Sequence, residues 1–116
     1  MQFYLKDNIY QIIRITGSQD NILGVAFANE NSSDNNIEVI EWHFANINTS
    51  RILTSKQQVL EQVISGLESV NQALGTNYKL SKIYFSPFDS PTSRIYSGLI
   101  AVLIRHYHSG NKFKEV

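Results

Sequence analysis

Apolar residues change their period about halfway along the chain. Ile9–Thr16 is rich in β-branched residues and runs into Gly17, Ser18, Gln19, Asp20 and Asn21, a cluster of turn formers, so it reads as a strand. Phe3, Tyr4 and Leu5 precede it and are expected to pair back across Lys6, Asp7 and Asn8 as a short hairpin. Residues 21–29 alternate at period two through Leu23, Val25 and Phe27. Residues 29–36 contain no apolar side chain, which predicts a long solvated hairpin loop. Residues 37–44 alternate again, with Ile40, Trp42 and Phe44 on one side and Val39, Glu41 and His43 on the other. The first set is bulkier and wholly apolar, so it is expected to face the core and to leave Glu41 and His43 on the wet side. A polar connection over 46–50 follows, and Arg51, Ile52 and Leu53 form a short piece that would extend the sheet.

Beyond residue 55 the period becomes helical. Val59, Leu60, Val63, Ile64, Leu67, Val70 and Leu74 fall at spacings of three and four. Thr54 or Ser55 suits the N-cap, with Gln57 or Gln58 completing a capping box, and Gly75 suits the left-handed C-terminal position. A strand is expected over 79–86, although its two sides are poorly sorted. Ser90 followed by Pro91 marks a second helix start, and that helix is apolar on nearly all sides from Ile95 to Ile104 before ending near Gly110. Gly66 and Gly98 lie inside the two helices at a cost of about 1 kcal/mol each against alanine, which close packing of elements would offset. The polar residues 111–116 are expected to be a flexible tail.

These elements make one domain over residues 1–116, of α+β class, in the order β-β-β-β-α-β-α. The expected architecture is a mostly antiparallel sheet of about four to five strands with two helices packed on one face. Composition narrows what such a domain does. Of 116 residues, 42% are hydrophobic and 17% charged, inside the range of folded domains. The absence of cysteine excludes disulfides, thiolate metal sites and a cysteine nucleophile. Ten basic residues balance ten acidic ones, which argues against a dedicated nucleic-acid binder. No signal peptide and no apolar run of about twenty residues is present, so a cytoplasmic protein without membrane contact is expected.

Candidate chemistry is sparse. His106 and His108 are two apart on a helix and diverge by about 200°, so they cannot share a metal ion, and the last helical turn is a favourable place for their charge. Glu41 and His43 form an i, i+2 pair that, with Arg14 or Tyr10, would resemble an acid/base cluster of a ribonuclease kind; a mixed polar sheet face explains them as well. There is no Gly-x-Ser-x-Gly elbow and no phosphate-cradling glycine loop. No catalytic residue, metal or cofactor is assigned. Tyr4, Tyr10, Tyr84 and Phe88 would stack on bases if they shared an exposed face, but basic residues are not interleaved with them. The most distinctive feature is an acidic, Asn-rich region: Glu30, Asp34, Glu38 and Glu41, with His43 beside them, are the candidate partner-binding residues.

The N-terminal meander, the Asn/Ile/Ser-heavy composition and the run Ser90, Pro91, Thr92, Ser93, Arg94, Ile95, Tyr96, Ser97, Gly98 leading into a buried helix together resemble the small immunity proteins of bacterial contact-dependent growth inhibition and related polymorphic-toxin systems. The resemblance spans the whole chain. It implies a non-enzymatic inhibitor that binds one cognate protein toxin, often a nuclease, and occludes its active site. A single-stranded nucleic-acid-binding domain and a self-associating module are the alternative expectations.

Overall fold

A computed structural model describes residues 1–16, 19–28, 37–41, 55–86 and 95–116. The elements are β1 (Gln2–Lys6), β2 (Ile9–Thr16), β3 (Gln19–Phe27), β4 (Glu38–Glu41), α1 (Lys56–Leu74), β5 (Leu80–Phe85), α2 (Ile95–His108) and β6 (Lys114–Glu115). The expected order of elements is present, with one strand added at the end. Asp7 and Asn8 both take positive φ, 52° and 65°, which gives the two-residue turn between β1 and β2 the twist that a hairpin needs.

The six strands lie in the order β4-β5-β3-β2-β1-β6. Three neighbouring pairs are antiparallel, but β4–β5 and β1–β6 are parallel, so the sheet is mixed. The physical reason for the first parallel pair is α1. A 19-residue helix carries the chain from β4 back to the end where it began, and β5 then runs alongside β4 in the same direction. The second parallel pair involves residues expected to be a tail. Tyr4 and Leu5 pair with Lys114 and Glu115, the Val116 amide donates to the Leu5 carbonyl at 3.1 Å, and Phe113 packs against the core.

Strand register explains the core. Phe3, Ile12, Leu23, Phe85 and Glu41 form one row across five strands, and Leu5, Tyr10, Val25, Ile83 and Val39 form the next. Ile12, Leu23, Val25, Ile83 and Phe85 are fully buried beneath the helices. Ile37 and Val39 also pack on this core. β4 therefore presents the opposite side from the one expected: the Val39 side turns inward. Alternation identifies which residues share a side; Val39 is directed inward because it pairs in register with Ile83.

The poorly sorted strand has a specific cause. Leu80 and Ile83 are both buried although an odd number of positions separates them. A bulge at Ala26/Phe27 sets Phe27 opposite Leu80 and Ala26 opposite Lys82, leaving Ser81 as the extra residue, and the Ser81 hydroxyl donates to the Ala26 carbonyl at 3.2 Å.

α1 begins with a capping box: the Ser55 hydroxyl accepts from the Gln58 amide and the Gln58 side chain accepts from the Ser55 amide, both at 3.2 Å. It ends at Gly75, with φ 68°. Its passage over α2 depends on Gly66, where an added Cβ would lie 2.5 Å from the Ser97 carbonyl oxygen and 2.6 Å from Ile100. Gly98 differs: it is exposed and an added Cβ would meet nothing within 4 Å, so close packing does not account for it. The Gln62 side chain accepts from the Tyr96 amide, Gly66 faces Ser97 and Ile100, and the Tyr78 hydroxyl meets His108. The two helices thus run side by side in the same direction. No helix among the described residues is long and apolar enough to cross a membrane.

Candidate functional site

Glu30, Asp34 and His43 lie outside the described residues, as do Trp42, Phe44, the piece over 51–53, Phe88 and the Ser90–Pro91 helix start. Glu38 and Glu41 are described, on the strand that closes one edge of the sheet. They are three residues apart, roughly 10 Å along a strand, and point to opposite sides of it. Glu38 is exposed and stands opposite Lys82 of β5; Glu41 is half-buried at the end of a helix-facing row. The two carboxylates flank the β4 edge rather than share one face. The acid/base grouping of Glu41 with Arg14 or Tyr10 does not form, because β5 and β3 lie between β4 and β2 and separate these residues by about 14 Å.

The aromatic residues gather elsewhere. Tyr10 faces the helices, where its ring meets Tyr107 at 5.1 Å, Phe27 at 5.3 Å and Phe113 at 4.9 Å. Phe3 stacks on His106 at 3.6 Å with the planes 4° apart. His106 Nε2 lies 2.7 Å from the Lys112 carbonyl, an acceptor only, so that nitrogen carries hydrogen. Tyr78 touches Phe27 and Tyr107, and its hydroxyl is 2.9 Å from His108 Nδ1. Burial raises the Tyr10 pKa, and the charge of Tyr107 and the hydrogen bond between the two phenols push it the same way. Tyr4 and Tyr84 lie on the other sheet face, in the row Tyr84–Gly24–Gln11–Tyr4.

On the other side of Tyr78, a cleft of about 330 Å³ opens between the second half of α1 and the start of β5. Among the described residues Ile64, Leu67, Ile37, Leu80 and Tyr78 supply its apolar surface, and Glu68 and Lys79 its charges. The wall over 76–78 is fixed by one side chain: Asn71 donates to the Tyr78 carbonyl at 3.0 Å and accepts from the Thr76 hydroxyl at 2.8 Å and the Tyr78 amide at 3.0 Å. The Ala28 amide donates to the Lys79 carbonyl at 2.8 Å and ties the end of β3 to the same wall.

The acidic half of a charge pattern is legible in the sequence; its basic half and this cleft are what sequence reasoning missed. Between Arg14 and Arg51 the chain carries Asp20, Glu30, Asp34, Glu38 and Glu41 and no lysine or arginine. From residue 79 onward Lys79, Lys82, Arg94, Arg105, Lys112 and Lys114 outnumber Asp89 and Glu115. The helices show the same division at their C-terminal ends: the last turn of α2 holds Arg105, His106 and His108, whereas that of α1 holds no basic residue. An uncompensated helix C-terminus carries partial negative charge and favours a cation. Overall neutrality therefore conceals a segregation of charge along the sequence: β4 carries Glu38 and Glu41, and α1 carries Glu61 and Glu68 against Lys56, although Lys82 of β5 stands opposite Glu38.

Among the described residues, no three His, Cys, Asp or Glu side chains come together as a metal site. A buried amide stands apart from these features: Asn21 is 2% exposed, pairs in register with Arg14, and its Nδ2 has no hydrogen-bond partner among the described residues. No protein-family model, curated protein or solved structure matches the chain.

Proposed function

We propose that this protein is an immunity protein that binds a cognate bacterial toxin domain, with a nuclease as the favoured class, and neutralises it in the cytoplasm by occluding its active site without doing chemistry of its own. The observation that carries the reading is the segregation of charge along a chain of zero net charge: between Arg14 and Arg51 it holds five acids and no lysine or arginine, two of those acids on β4. A basic toxin cleft meeting these acids would associate faster and in a fixed orientation, because complementary charge steers encounter and sets register. Glu30, Asp34, Glu38, Glu41 and His43 are the proposed contacts. Glu38 and Glu41 on opposite sides of one edge strand suit a partner that straddles that edge. The nucleic-acid alternative has less support, since Tyr10 packs among helix-facing rings instead of joining Tyr4 and Tyr84.

Co-expression with the products of neighbouring reading frames, followed by purification, is expected to yield a stoichiometric protein complex. Replacing Asp34 and Glu38 together by alanine should weaken that complex and flatten its dependence on salt. Unchanged affinity at low ionic strength would reject these acids as the contact, and a homo-oligomer as the sole product would favour self-association.

A further inference from the structure

We infer that the outer edge of β1, with a socket formed by Phe3, Tyr10 and His106, is a strand-docking site. Residues 111–116 of the same chain occupy it, and it takes in their place a parallel, extended segment of a partner protein that carries an aromatic residue followed two positions later by an apolar one. The site lies at the opposite edge of the sheet from β4, about 19 Å away at the spacing of neighbouring strands, so it does not depend on the acidic contacts proposed above. The resident segment shows the mode of binding. Lys114 and Glu115 pair in parallel with Tyr4 and Leu5, and the Val116 amide donates to the Leu5 carbonyl at 3.1 Å, which is the addition of a strand to a sheet edge. The Phe113 ring is the anchor: it meets His106 at 4.8 Å, Tyr10 at 4.9 Å and Phe3 at 5.8 Å, each time edge to face. His106 is itself held by stacking on Phe3, and its Nε2 donates to the Lys112 carbonyl, a backbone contact that any residue before the aromatic one can supply.

Beyond its anchor the resident segment is poorly matched. Phe113 is the only one of residues 111–116 that is not exposed, and Val116 is 74% exposed. Residues paired across a ladder point to the same side of the sheet, so Glu115 stands on the helix-facing side with Leu5, whose row continues through Tyr10 and Val25. Leu5 is half-buried; an aliphatic residue at the place of Glu115 would cover more of it, whereas a carboxylate has to stay in water. A better-matched strand therefore gains contact that the resident one forgoes. It competes with a segment already attached, equivalent to a ligand at roughly millimolar concentration, so the affinity of the edge is read with the resident segment loosened.

The probes are capped hexapeptides that copy residues 111–116, with glutamate or leucine at the position of Glu115 and phenylalanine or alanine at that of Phe113. These are titrated into the isotope-labelled chain and followed by amide chemical shifts. In Phe113→Ala, whose own segment lacks its anchor, the peptide with phenylalanine and leucine is expected to give saturable shifts at Tyr4, Leu5 and His106. Glutamate for leucine should weaken it by about threefold or more, and alanine for phenylalanine by about tenfold or more. The parent should bind the same peptide at least about tenfold more weakly than the variant does. Lys114→Pro keeps the ring but removes an amide that this register aims at β1, so it should also admit the peptide more tightly than the parent, and it serves if Phe113→Ala does not fold. In the parent without peptide, the Val116 amide should exchange with solvent at least about a hundredfold faster than that of Val25 in the middle of the sheet. Absence of saturable shifts in the variants, equal binding with and without the aromatic residue, or a Val116 amide as protected as that of Val25 each overturn the proposal. So does a parent dimer that Phe113→Ala abolishes, which would assign the edge to a second copy.

Discussion

Tyr78 separates two regions built in opposite ways. On one side its ring belongs to a cluster in which Phe3, Tyr10, Phe27, His106, Tyr107, His108 and Phe113, drawn from three strands, α2 and the C-terminal segment, fill the space edge to face and in stacks. On the other side the same residue lines a cleft whose walls are fixed by hydrogen bonds and whose interior no described residue fills. Aromatic pairs contribute about 0.5–1.5 kcal/mol beyond the area they bury, so the filled side is where stability is concentrated. An unfilled apolar space forgoes that gain, and it is the region where an outside group can supply what the chain does not.

The sharpest test of this division is to truncate both sides. Tyr107→Ala removes a ring that touches Tyr10, Phe27 and Tyr78 and is expected to cost about 2 kcal/mol, less than the figure for full burial because Tyr107 is half-buried. Ile64→Ala in the cleft should cost under about 1 kcal/mol, since part of its surface already faces open space. Urea unfolding of the two variants measures the difference; equal losses would erase the distinction between the two regions.

A second test concerns the helix that walls the cleft. Gly66→Ala forces a Cβ against the Ser97 backbone and should destabilise by about 1–3 kcal/mol while displacing α1 from α2. Gly98→Ala fills open space on an exposed helical position and should instead stabilise by up to about 1 kcal/mol. Thermal melts of the pair should therefore move in opposite directions, and a common direction would contradict the packing described.

The smallest effect is alkaline. Tyr10 has a pKa raised above its ordinary 10.0, so folding favours the neutral phenol. Its contribution is complete below the unfolded value and is lost as pH rises through the folded one. Stability measured in urea is expected to fall above about pH 10, and less steeply in Tyr10→Phe than in the parent. An identical slope in both would mean that Tyr10 is not the group responsible.

Local chemistry was legible in the sequence, and the pairing of distant segments was not. The Ser55–Gln58 capping box, the Gly75 terminator and the turn at Asp7 and Asn8 each depend on neighbours a few residues away, and each stands where the residue types placed it. The inward side of β4 depended on Val39 pairing with Ile83, more than forty residues later. Polarity hid β6 because Lys114 and Glu115 are exposed even while paired, and the two apolar residues that flank them, Phe113 and Val116, form no periodic pattern to announce a strand. The cleft was invisible for a related reason: Ile37, Ile64 and Tyr78 meet only once α1 has crossed from β4 to β5. Of the candidate contacts, Glu38 and Glu41 stand on the strand that the alternation predicts, and their separation onto two sides follows from extending the same count by twos one residue back from Val39.

The bulge in β5 carries a consequence for how this sequence can change length. In a regular strand, losing one residue turns every later side chain inside out. Ser81 is the surplus residue of its pair, so its loss would bring Leu80 and Ile83 into ordinary two-residue alternation, at the expense of a single hydroxyl contact to Ala26. The middle of the sheet thus contains a position where a codon can be dropped while both neighbours keep their places in the interior.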